Sequence, residues 1–114
     1  MKSFLVQPFH QRVHVTTASG EFIAKYNRHC TESEKIQIKE LDQCRGMAVH
    51  LDEGKPLFML YLPGDVSCGT LFHECLHMAH FIMDYASAPV SLESTETQAY
   101  LMENIAATVR KKIE

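Results

Sequence analysis

Residues 71–80 read LFHECLHMAH, three histidines and one glutamate set among apolar neighbours and a cysteine. On a helix turning about 100° per residue, His73 and His77 project within roughly 40° of each other on successive turns. One nitrogen from each can then reach a single ion. Glu74 stands about 100° round from His73, too far for a straightforward ligand but well placed beside a metal-bound water as its general base. His-Glu-x-x-His on a helix is the spacing that suits a zinc hydrolase. A plainer reading also fits. His73, His77, His80 and Asp84 all project within about 60° and would make one solvated or mutually hydrogen-bonded stripe. Against it stand Leu71, Phe72, Leu76, Met78, Phe81, Ile82 and Met83, which make the segment apolar nearly all round. That predicts a central helix, in which buried histidines and a buried glutamate are costly unless paired or metal-bound.

A third ligand is needed, and Glu96, 19 positions beyond His77, is the candidate. It falls in the first turn of the next predicted helix, which a loop of about ten residues could return over the histidines. His80 lies seven residues past His73, about 10.5 Å up the axis, and cannot share an ion with both histidines on a straight helix. Glu93 precedes the helix and Glu103 lies about 10 Å beyond Glu96, so neither competes. Two histidines and one carboxylate leave a fourth position open for water, the arrangement of a catalytic zinc, one ion per chain.

The elements that must position these groups follow from periodicity and punctuation. Val13–Thr17 alternates like a short strand, and Ser19 is a plausible cap for a helix through about residue 29, with Phe22, Ile23 and Tyr26 on one face. Residues 31–46 fit either a short helix or a loop. Met47–Leu51 and Leu57–Leu62 are two apolar runs around Asp52-Glu53-Gly54-Lys55-Pro56, the signature of a β-hairpin. A helix over about Thr70–Tyr85, capped by Ser67 or Thr70, is broken by Ala86–Leu92 with its Pro89. A last helix runs from Ser94 or Thr95 to about Lys112, with Ala99, Met102, Ile105, Ala106, Val109 and Ile113 facing inward. The order β-α-β-β-α-α makes a single α+β domain over residues 1–114.

Composition narrows the function. With 46% hydrophobic and 22% charged residues and a net charge of −3, the chain has the make-up of a globular protein. It has no electrostatic footprint for nucleic acid. No apolar run approaches the roughly 20 residues a spanning helix needs. The first residues, MKSFLVQPFHQRVHV, are too interrupted for a signal peptide, which predicts a cytoplasmic protein. Cys30, Cys44, Cys68 and Cys75 form no Cys-x-x-Cys pair and read as reduced thiols. Cys75, on the far side of the helix from the histidines, reads as a small buried hydrophobe. His10, His14, His29 and His50 lack ligand spacing.

His73-Glu74-Cys75-Leu76-His77 followed by Glu96-x-x-Ala99 resembles the gluzincin pattern of zinc metallopeptidases. The layout resembles the minimal zincin core of the ImmA/IrrE and SprT-like families. Closest is the likeness to small metallopeptidases encoded by phages and prophages, which share a Leu-Phe-His-Glu-Cys-x-His-x-Ala-His helix followed by Glu-x-x-Ala-Tyr. The matched region is about residues 47–105. The resemblance implies His73, His77 and Glu96 as zinc ligands, Glu74 as catalytic acid/base, Ala99 as the small residue that lets two helices approach, and a peptide or protein as substrate. It also implies that Leu57–Leu62 is an edge strand holding an extended peptide. Many gluzincins carry an aspartate after the small residue; here Tyr100 stands there, to donate a hydrogen bond to an oxyanion or to pack in the core. Asp84 or a backbone carbonyl would then orient His73. The alternative is a zinc-stabilised regulatory or binding module with little peptidase activity.

Overall fold

The computed structural model describes residues 1–31, 35, 36, 38–52 and 55–114. Its elements are β1 (Lys2–Val6), β2 (Gln11–Thr16), α1 (Ser19–His29), α2 (Ile38–Asp42), β3 (Met47–Leu51), β4 (Leu57–Tyr61), α3 (Cys68–Tyr85) and α4 (Thr95–Ile113). A 3₁₀ turn over Leu92–Ser94 precedes α4. The four strands form one mixed sheet in the order β1-β2-β4-β3. β1/β2 and β3/β4 are antiparallel, and β2/β4 are parallel. The chain is an α+β domain with helices on both faces of the sheet.

β4 explains the layering. Its residues, LFMLY, are all buried, so the strand must be covered on both faces. Phe58 and Leu60 point to one face and join Val13, Val15, Ile82, Ile105 and Val109 beneath α3 and α4. Leu57, Met59 and Tyr61 point to the other and join Phe22 of α1 and Leu41 of α2. Fully burying each such side chain contributes about 1.5–3 kcal/mol. This overturns the expectation that Leu57–Leu62 is an edge strand. An edge cannot shield both faces of a wholly apolar run, and β3, half-buried throughout, takes the edge instead.

The hairpin is present with the predicted strands, in the register Met47↔Tyr61 to Leu51↔Leu57. Residues 53 and 54 of its expected turn lie outside the described residues, as do 32–34 and 37 of the ambiguous 31–46 stretch, where α2 forms. β1 has no counterpart among the predicted elements; it pairs with β2, with its Val6 in the larger core and its Phe4 packed against that core. Among the described residues, no helix is long and apolar enough to cross a membrane.

The two helices that matter most for the site are punctuated by side chains. Ser67 caps α3, its hydroxyl accepting from the Thr70 amide at 3.2 Å. α3 ends before Pro89 is reached. Ser87 adopts a left-handed φ of 59°, and the Ala88 and Ser87 amides return to the carbonyls of Met83 (2.8 Å) and Asp84 (3.0 Å). Against α3 lies α4, antiparallel, with Gln98 near His80 at one end and Arg110 near Cys68 at the other.

Candidate metal centre

α3 is amphipathic rather than apolar all round. Leu71, Glu74, Cys75, Met78, Ala79, Ile82 and Met83 are buried, whereas His73 and His77 are exposed. Phe72 (47% exposed) and Leu76 (41%) lie open beside them. The expectation of buried histidines is thus corrected. The four-stranded sheet is too wide to be covered by α3 alone, so α4 lies beside it on the same face and the outer half of α3 faces solvent. Glu74 alone of the four polar groups is turned inward, at 7% exposure.

The exposed histidines converge. Their Nε2 atoms are 3.2 Å apart and their rings meet edge to face at 4.7 Å. Adding one Glu74 oxygen gives three ligand atoms that all lie within 4.8 Å of one another, the one such group among the described residues. Two imidazole nitrogens bound at 2.0–2.1 Å to one tetrahedral zinc are about 3.3 Å apart, so the pair fits that ion. The same spacing also serves an N–H···N hydrogen bond between neutral rings. Beyond His77, Phe81 stacks on the imidazole at 6.4 Å and leads to His50 of β3. The buried His50 Nε2 has no hydrogen-bond partner, and its ring lies 4.5 Å from Phe58.

Glu74 is held by close packing from the sheet. Gly46, just before β3, lies so near that a Cβ there would stand 3.1 Å from the Glu74 Cγ. Glu74, His73, Arg45, Gly46, Ser67, Gly69 and Thr70 line one cavity of about 410 Å³. The sequence signals Gly46 only by a glycine abutting a predicted strand, and Arg45 not at all.

The remaining predicted residues lie elsewhere. Glu96 does occupy the first turn of α4, but its carboxylate is not in the cluster with the histidines. It lines a different cavity with Gln7, Pro8, Phe9, Thr97 and Tyr100. Gln98, not Glu96, meets α3. Its Oε1 accepts from His80 Nε2 at 3.0 Å, and its amide nitrogen donates to the Ser91 carbonyl at 2.9 Å. The stripe His73–His77–His80–Asp84 is therefore split, since His80 turns to α4 while Asp84 is exposed. Glu93 and Glu103 are exposed too. Ala99 is exposed and does not pack between helices; the buried positions of α4 are Leu101, Ile105, Ala106 and Val109. Tyr100, 68% exposed, is no core residue. Cys75 is fully buried, and that burial, with the Glu74 carboxylate beside it, pushes its thiol up to about 12, so it stays a neutral thiol near neutrality.

No family model, curated protein or solved structure matches the chain.

Proposed function

We propose that the chain is a minimal zinc metallopeptidase of the zincin type, with His73 and His77 as zinc ligands and Glu74 as its acid/base. The observation that carries this reading is the 3.2 Å separation of the two Nε2 atoms, with the buried Glu74 carboxylate in the same group. Zinc held there would act as a Lewis acid, polarising a peptide carbonyl and acidifying a water. Glu74, shielded by Gly46 and Leu62 yet open to the cavity, takes a proton from the attacking water and delivers it to the leaving amine. β3, the free edge of the sheet on the α3 side, offers backbone groups to an extended peptide.

Glu96 as third ligand rests on the resemblance; its carboxylate stands outside the His73–Glu74–His77 group and lines a different cavity. That separation favours a second reading, a zinc-stabilised binding module in which the histidines hold metal without turnover.

Metal analysis and one substitution separate the two. The proposal expects about one zinc per chain in protein purified without chelator or histidine tag. Glu74→Gln should retain zinc and lower peptide hydrolysis by a factor on the order of 10² or more. Zinc that cannot be loaded by titration refutes both readings, whereas zinc without hydrolysis selects the module.

A further inference from the structure

We infer that Arg45 anchors a carboxylate of the substrate, so that the preferred substrates carry a negative charge close to the bond that is cut. This rests on the metallopeptidase reading of the same site.

Arg45 is exposed at the end of the segment that leads into β3, one residue before Gly46. Its side chain lines the cavity that His73 and Glu74 also line, together with the hydroxyl-bearing Ser67 and Thr70. It also borders the neighbouring cavity formed with Pro63, Asp65 and Val66. No described residue neutralises it. The ion pair found among the described residues joins the N-terminal ammonium to Glu21, and Arg45 makes no hydrogen bond with the groups around it. Glu74, although it shares the cavity, is not within ion-pair distance.

A guanidinium left unpaired in a concave wall is a ready receptor for a planar anion. Its fork of N–H donors matches a carboxylate bidentately, and such charge-assisted pairs are about twice as strong as neutral ones. The other groups in the cavity argue for a carboxylate in particular. Ser67 Oγ accepts from the Thr70 amide and donates to Thr70 Oγ1 at 3.2 Å, so its hydroxyl serves the helix cap, and Arg45 is the charged donor in the cavity wall. The Glu74 carboxylate repels an anion placed directly against it, which keeps the bound charge on the Arg45 side and not at the reacting atoms. A peptide lying along β3 would pass Arg45 at the start of the strand. The bound carboxylate can come from an aspartate or glutamate side chain or from the peptide's free C-terminus; the chemistry is shared and the experiment distinguishes the sources.

The test uses the full chain carrying Glu74→Gln, so that bound peptides are not consumed, with zinc added. Three versions of one otherwise neutral decapeptide are titrated by calorimetry at low salt. One is amidated, one has a free C-terminus, and one is amidated with a single central aspartate. We expect a charged peptide to bind about tenfold or more tightly than the neutral one, the scale of one bidentate pair. The advantage should vanish in Arg45→Gln, survive in part in Arg45→Lys, and shrink with added salt. Preference for the free C-terminus alone assigns a carboxypeptidase-like end anchor, and preference for the aspartate alone assigns an internal acidic residue. Equal binding of all three peptides overturns the inference, as does a preference that survives Arg45→Gln or no detectable binding of either charged peptide. Failure of the metallopeptidase reading looks different: zinc does not load, or the parent hydrolyses none of the peptides, while the Arg45-dependent preference can still be measured.

Discussion

Gly46→Ala probes the contact that holds the candidate base in place. The added methyl would lie 3.1 Å from Glu74 Cγ, 3.1 Å from Leu62 Cδ2 and 3.2 Å from the Tyr61 carbonyl oxygen. Comfortable carbon–carbon contacts begin near 3.5 Å, so each neighbour must yield by a few tenths of an ångström. Tyr61 is fixed by β4 pairing on both sides and Leu62 is fully buried, which leaves Glu74, with a cavity beyond its carboxylate, as the group that gives way. Inserting a methyl into a packed site costs about 1–3 kcal/mol, and a yielding neighbour places this case near about 1–2 kcal/mol. For a domain of this size that is a drop of roughly 4–8 °C in melting temperature, read by calorimetry on metal-free protein. Hydrolysis should fall as well, with zinc content unchanged. In a Glu74→Ala background the Cγ is gone and the added cost should shrink, with only the Leu62 and Tyr61 contacts remaining. A melting temperature within about 1 °C of the parent, or an undiminished cost in the Glu74→Ala background, would refute the reasoning.

Further outcomes are expected elsewhere. Glu96→Ala should weaken zinc affinity strongly, whereas His80→Ala, Glu93→Ala and Glu103→Ala should leave it nearly unchanged; tight zinc in Glu96→Ala, measured by competition with a chelator, removes Glu96 from the ligand set. Ser87→Gly should stabilise by about 0.5–1 kcal/mol, because Ser87 sits at a left-handed φ of 59° that glycine adopts without strain. A neutral or negative change in denaturant midpoint would count against that account. Burial, then the charges of Lys25 and Arg12, hold His14 down from 6.5 to about 4. The unfolded chain therefore takes up this proton first, and stability present above about pH 6.5 is lost as pH falls toward 4. His14 is only half-buried, so solvent screening reduces the effect to about 1–2 kcal/mol. His14→Gln should flatten the acid limb of stability against pH in chelated protein by that amount; identical limbs would show that His14 does not titrate as described.

Element identity was largely legible in the residues, and three-dimensional neighbourhood was not. The helices at Ser19–His29, Cys68–Tyr85 and Thr95–Ile113 and the strands at Met47–Leu51 and Leu57–Tyr61 fall where periodicity and turn residues place them. β1 escaped because Lys2–Val6 shows no clean alternation and is followed by Gln7 and Pro8. The run Leu57–Leu62 carries the signature of an interior strand, apolar on every residue, whereas the resemblance implies an edge. Within α4, spacing favoured Ala99 over Leu101. The buried arc is set jointly by the sheet and by α3, and that arc is not written in α4 alone. For the site, two residues four apart on one helix are a local matter, so His73 and His77 meet as predicted. Glu96 depends on the angle at which a separate helix returns, and Gln98 takes the inward position instead.

The parallel pairing of β2 with β4, and the docking of α4 over β1 and β2, have a consequence for how the molecule comes into being. Val13 is paired with Phe58, and the Lys2 ammonium reaches the Lys112 carbonyl at 2.7 Å. Contacts of such sequence separation close only after long loops are closed, which slows folding. During synthesis the β3–β4 hairpin and α3 would leave the ribosome with Ile82 and Met83 uncovered, waiting for Ile105 and Val109 to arrive. The histidine-bearing helix therefore acquires a fixed seat only when α4 has emerged, and a nascent chain halted before α4 would present that apolar face to chaperones.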